Sequence, residues 1–268
     1  MVLEYGAKRR IEKGRINKKN HQRIMEVHHH SHTPRKKLTH YFWEFLMLFL
    51  AISAGFLVEN LREHYVENKR EKEFIKSYVE DLKQDTAKIT ANIQARNAKI
   101  LIIDSLIKLL NSPDPNQDGR SAYYFGRRTT RSTLYQANDR TIKQLKNAGG
   151  LRLIRNQKAS NKIMTYDQAN DYIVYLQGRE FEELSVMYPL LAKLYDANVL
   201  ETMIRGMEIS RPLSNPVLRT TDKNLILDLT YYLHQYKTTS VVIIARLQSL
   251  MQVATETIQF LQEEYHLK

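Results

Sequence analysis

Between Glu59 and Leu110 the chain contains neither glycine nor proline. Glycine weakens a helix through backbone entropy and proline removes one of its hydrogen bonds, so so long a stretch without either predicts one long helix. Apolar residues recur through it in steps of four and three: Ile75, Val79, Leu82, Ile89, Ile93, Ile100, Ile103, Ile107 and Leu110, with Thr86 and Arg96 filling the two gaps. This is a heptad-like seam, and such a seam needs a partner helix to cover it.

The seam is preceded by YFWEFLMLFLAISAGFLV, residues 41–58, which from Phe45 to Val58 carries no charge. Eighteen residues at about 1.5 Å each give a helix roughly 27 Å long, just short of a ~30 Å hydrocarbon core. Tyr41, Phe42 and Trp43 gather at one end, as an interfacial aromatic belt does, with Arg35, Lys36 and Lys37 just outside. A buried core helix would not need that basic and aromatic flank. A cleaved signal peptide would turn polar after Ala51 and Ser53, whereas the apolar run continues through Val58. The run therefore reads as a single uncleaved span, anchored by Tyr41, Trp43, Arg35, Lys36 and Lys37.

Residues 1–40 hold eleven Lys and Arg against three acids, most of the whole chain's net charge of +12. Such an arm resists export, so the amino terminus is expected in the cytoplasm and the following domain in the periplasm, across a bacterial inner membrane. Cysteine is absent. That excludes a disulfide scaffold, a thiolate metal site and a cysteine nucleophile.

Beyond Leu110, residues 112–121 (SPDPNQDGRS) read as a loop. Residues 133–150 read as a short helix closed by Gly149 and Gly150, a left-handed cap. A second long helix is expected from Lys158 to about Ile204, with Ile163, Ile173, Leu176, Leu184, Met187, Leu191 and Leu194 on its stripe and a kink at Pro189. Residues 205–221, with Gly206, Pro212 and Pro216, read as a connector. The last helix should run from about Asp222 to Glu264 behind a Thr221 or Asp222 cap. Its seam is Leu229, Leu233, Tyr236, Ile243, Leu247, Leu250, Ala254 and Leu261. The VVII run at 241–244 has strand character, but its flanks keep the helical period.

Three long amphipathic helices and one short one cannot bury their stripes separately, and packing them antiparallel does so. The predicted fold is all-α: one transmembrane helix continuing into an elongated antiparallel, four-helix-like bundle. The predicted organisation is an arm at 1–40, a span at 41–58 and a helical domain at 59–268.

Residues 59–86 (ENLREHYVENKREKEFIKSYVEDLKQDT) and, more specifically, 141–156 (TIKQLKNAGGLRLIRN) resemble single-pass proteins common in Bacteroidota, grouped with the domain-of-unknown-function family numbered 6090. The resemblance covers most of residues 25–268. It implies an inner-membrane anchor, an exported helical domain and no catalytic residues to carry over. Family members begin near MEVHHHSHTPRKK, which here starts at Met25; residues 1–24 depart from that pattern and read as a misassigned start. Those residues have a disordered composition and are expected to be dispensable for insertion.

Candidate chemistry is sparse. His28, His29, His30 and His32 could together bind a transition-metal ion, or form a solvated tail. The arm's basic residues point to anionic lipid headgroups more than to nucleic acid, for which only nonspecific phosphate contact is expected. Lys146, Gly149, Gly150, Arg152 and Arg155 form a candidate anion or ligand notch, with Arg127, Arg128 and Arg131 as further charge; a plain helix corner is the competing reading. The sequence lacks GK[ST], HExxH, GxSxG and Rossmann glycine motifs, so no enzyme activity and no cofactor are expected. Two functions remain: a scaffold or interaction subunit of a membrane complex, forming a homo-oligomer or joining a partner membrane protein, and a sensor-type ligand-binding ectodomain. Forty residues before the span are too few for a kinase or cyclase, so a sensor would signal through a partner.

Overall fold

The computed structural model describes residues 37–147 and 149–267. The chain divides into two compact units, Met1–Leu57 and Val58–Lys268. The fold is all-α, with a long amino-terminal helix packed against other helices.

Helix α1 is Leu38–Leu110. Its part in the first unit is bare: Phe42, Trp43, Phe45, Leu48, Phe49, Leu50 and Phe56 all stay exposed, and none of the most apolar eighteen-residue window is buried. Among the described residues two helices, α1 and the carboxyl-terminal α6 (Lys223–Glu264), are long and apolar enough to cross a membrane. Along α6 a regular buried stripe, mostly apolar, runs from Ile226 through Leu229, Leu233, Tyr236, Ser240 and Ile243 to Leu261 in steps of three and four. That is the pattern of a bundle helix.

The second unit is an up-down-up-down bundle whose second leg is broken. Helix α6 runs antiparallel to α1, since Tyr265 bonds to Glu71, Lys237 to Asp104 and Asn111 to Thr230. Helix α4 (Gln157–Leu194) runs parallel to α1, pairing Tyr166 with Asp85 and Glu180 with Arg96. Between them the chain returns along α1, placing Thr133 beside Arg96, Asn138 beside Asp85 and Thr141 beside Asp81. This leg consists of α2 (Gly119–Thr129), an extended stretch at 132–139, α3 (Arg140–Asn147) and a 3₁₀ turn at Gly150–Leu153.

Several expected boundaries need correction. Helix α2 begins inside the stretch read as loop, with Asp118 capping it through Ser121 N–H. Helix α3 starts at Arg140 and not at 133, because the backbone of 133–139 is held by side chains of α1 and α4. Gln177 donates to Tyr135 O at 3.1 Å and accepts from Tyr135 N at 2.6 Å, imitating a neighbouring strand. Helix α4 ends at Leu194, and a separate α5 (Ala197–Thr202) follows, opened by an Asp196 cap. The expected connector contains a hairpin, β1 (Ile204–Arg205) and β2 (Glu208–Ile209), turned by Gly206 at φ 62°. Mirror-image hairpin turns need that left-handed backbone. The Asp222 cap on α6 and the left-handed Gly149 after α3 (φ 65°) are as expected.

The core is two apolar clusters. One joins Ile75, Leu82 and Ile89 of α1 to Ile163 and Ile173 of α4 and Ile243 to Leu261 of α6. The other joins Ile103, Leu106 and Leu110 to Leu184–Leu194 and to Ile226–Tyr236. Between them the stripes carry Asn92, Arg96, Lys99, Gln177, Glu180 and Ser240, all buried.

Candidate functional site

The buried face of α1 differs by one residue from the seam read in the sequence. Ile75, Val79, Leu82, Ile89, Ile103 and Leu110 are buried as expected. The intervening inward positions, however, are Tyr78, Asp85, Asn92, Lys99 and Leu106. Ile93, Ile100 and Ile107 sit half-buried beside them. Asp85, Asn92 and Lys99 lie seven residues apart, and each of them meets a hydrogen-bond partner.

Arg96 is the centre of this layer and has no exposed surface. Guanidinium offers five N–H donors in a fixed fork, and all five are used. Nε donates to Asn92 Oδ1 at 2.9 Å. Nη1 donates to Glu180 Oε1 at 2.6 Å and Ser240 Oγ at 3.0 Å. Nη2 donates to Glu180 Oε2 at 3.1 Å and Thr133 O at 2.7 Å. One side chain of α1 thus ties α4, α6 and the returning leg.

One turn along, Lys99 Nζ donates to Tyr236 Oη at 2.7 Å. Burial lowers its pKa to about 8, partly offset by the Glu180 charge and reinforced by Arg96. About three turns back from Arg96, Asp85 accepts from Asn138 N at 2.8 Å and Tyr166 Oη at 2.8 Å, and burial raises its pKa.

Lys99 also lines a cleft of about 580 Å³. Its floor is one stripe of α1, Ala95, Ala98, Lys99 and Ile102, where the two alanines leave room. Arg128, Arg131 and Thr133 form one wall and Met207, Glu208 and Ile209 of the hairpin the other. The hairpin is fastened by Arg211, whose guanidinium lies 4.7 Å from the Tyr124 ring centre and 5.4 Å from that of Phe125.

The residues of the expected notch occupy separate contacts. Lys146 pairs with Asp167 of α4. Arg155 pairs with Glu67 of α1, and its backbone N–H donates to Glu71 at 3.0 Å. Arg152 is exposed, Gly149 supplies the left-handed turn, and Gly150 packs on Leu145. Arg128 and Arg131 line a cleft with Lys99 instead. His28, His29, His30, His32, Arg35 and Lys36 lie outside the described residues; Lys37, Tyr41 and Trp43 are exposed. Among the described residues no group of three or more His, Asp or Glu side chains is placed to hold a metal ion.

Comparison with protein-family models, with curated proteins and with solved structures found no match.

Proposed function

We propose that the chain is a single-pass inner-membrane protein whose helical domain serves as a scaffold or interaction subunit of a membrane complex, without catalysis of its own. The observation that carries this reading is the apolar window of α1, of mean hydropathy 1.9 and with none of its residues buried, beside the Tyr41 and Trp43 belt. Water would not tolerate so large a bare apolar surface, and a bilayer covers it. The basic arm favours a cytoplasmic amino terminus, a periplasmic bundle and contact with anionic headgroups at about 1 kcal/mol per basic residue near the surface. The likeness to the family numbered 6090 belongs to the same proposal.

The interaction role draws on the bundle's outer surface. Tyr172, Tyr175 and Val186 fall on one side of α4, and Leu227, Tyr231 and Val242 on one side of α6, all exposed. Aromatic side chains are enriched at protein interfaces. A sensor-type ectodomain is the second reading, favoured by the Lys99 cleft.

Two measurements test the proposal. Protease added to spheroplasts should remove residues beyond 59 and spare the arm; protection of the bundle reverses the topology. Crosslinking in native membranes should capture a homo-oligomer or a partner membrane protein. A strictly monomeric species that co-purifies with nothing sinks the scaffold role.

A further inference from the structure

Arg96, Arg140, Lys146, Arg155 and Lys237 each face a carboxylate. Lys99, Arg128 and Arg131 share one cleft, and none of them is in an ion pair among the described residues. Lys99 bonds to the neutral Tyr236 hydroxyl and Arg128 to the neutral Tyr124 hydroxyl at 2.7 Å. Among the described residues Glu208 is the single carboxylate lining the cleft, against three cations.

A buried ammonium without a counter-charge is costly, and it persists where something outside the fold offsets it. Lys99 keeps only 4 % of its surface exposed, yet it borders a cleft of about 580 Å³, the size of a small-molecule site. The floor offers apolar contact from Ala95, Ala98 and Ile102, and two exposed guanidiniums stand where oxyanions could be met in bidentate fashion. We propose that this cleft binds a small soluble anion, a carboxylate or phosphate ester with a short apolar body, held between Lys99 and the pair Arg128 and Arg131. This goes beyond the scaffold role, which requires no ligand.

Binding should weaken as pH rises. Lys99 carries its charge below a pKa of about 8 and loses it above. Around Lys99 stand Arg96 and Glu180 beneath, Tyr236 beside, and Arg128, Arg131 and Glu208 in the cleft; burial pushes the Tyr236 hydroxyl well above its ordinary value, so it stays neutral across this range.

The test is calorimetric titration of the full-length protein in nanodiscs of zwitterionic lipid, with citrate, glycerol 3-phosphate and inorganic phosphate as probes. At least one probe should saturate below about 10 mM, where even a Kd near 1 mM fills the site. Its affinity should be higher at pH 7 than at pH 9. The double variant Arg128→Gln/Arg131→Gln, altered at two exposed positions, should bind about tenfold more weakly or worse, since charged hydrogen bonds are lost. Lys99→Met should abolish the pH dependence. No saturable binding by any probe, or unchanged affinity in the double variant, overturns the proposal. Repeating the titration with phosphatidylglycerol in the discs separates the sources. Unchanged affinity supports a soluble ligand; displacement of the probe assigns the site to a lipid headgroup and overturns the soluble-ligand form.

Discussion

Arg96 and Glu180 form a bidentate ion pair at 2.6 and 3.1 Å in the middle of the bundle, with side-chain exposures of 0 % and 5 %. They are far apart in sequence, on α1 and α4, and the geometry leaves no donor of the guanidinium idle. Such a pair adds little net stability over a well-packed apolar layer, but losing one partner strands a buried charge. We read it as the device that sets the register of the long helices, because a shift of one turn would break the four hydrogen bonds from Arg96 to other elements together.

Arg96→Ala should therefore destabilise the protein by about 3–5 kcal/mol, as loss of one buried partner does. The double variant Arg96→Met/Glu180→Leu should be less destabilised than the two single changes summed. Denaturant unfolding of all four species in one detergent completes the cycle. Additivity within about 0.5 kcal/mol would mean that the two residues do not act as a unit.

Gln177→Leu removes both partners of the Tyr135 backbone, which is buried with its side chain 3 % exposed. Two orphaned buried groups should cost about 2–4 kcal/mol. Hydrogen exchange should quicken at the Tyr135 amide and along 132–139 before it does so in α1. Equal acceleration across the whole bundle would contradict a local tether.

Lys99 gives a pH signature of fixed sign. Its folded pKa of about 8 lies below the ordinary lysine value, so the unfolded chain binds the extra proton between those two values. Stability from this group therefore rises as pH climbs from about 8 toward 10, and the burial penalty is fully present at pH 7. Relative to Lys99→Met, the wild type should gain stability on the order of 2 kcal/mol from pH 7 to pH 10. A gap between the two that stays constant with pH would refute the burial of an unpaired ammonium.

Phe49 lies inside the exposed apolar window of α1. Phe49→Lys should raise the apparent cost of membrane insertion by about 3 kcal/mol. Phe181→Lys, an equally exposed position on α4, should change stability by no more than about 0.5 kcal/mol. Carbonate extraction of membranes reads the first and a thermal melt the second. Full retention of Phe49→Lys in the membrane fraction would remove the span from this segment.

The site was less legible than the fold. Arg96 stood in the seam as a gap, yet nothing nearby in sequence names Glu180, Ser240 or Thr133 as its partners. Asp85, Asn92 and Lys99 did leave a trace, a polar residue every seventh position one step from the apolar series. Periodicity alone favours Ile93 and Ile100 for the interior, because an apolar side chain loses nothing there. The basic residues around Gly149 and Gly150 look like a cluster along the chain, but Lys146 and Arg155 are drawn to carboxylates on different helices.

What the sequence determined by itself is what local chemistry determines. The Gly- and Pro-free run, the α6 stripe, the Asp222 cap and the left-handed Gly149 all follow from backbone preference and helical period, which act over a few residues. Tertiary structure decided the rest. The segment 132–139 is extended, although its composition suits a helix, because Gln177, Asp85 and Arg96 satisfy its backbone from across the bundle. Asp85, Arg96 and Lys99 took the interior of α1 because partners elsewhere in the bundle met them there. Those partners are adjacent only once the bundle has closed, so no local pattern could announce them.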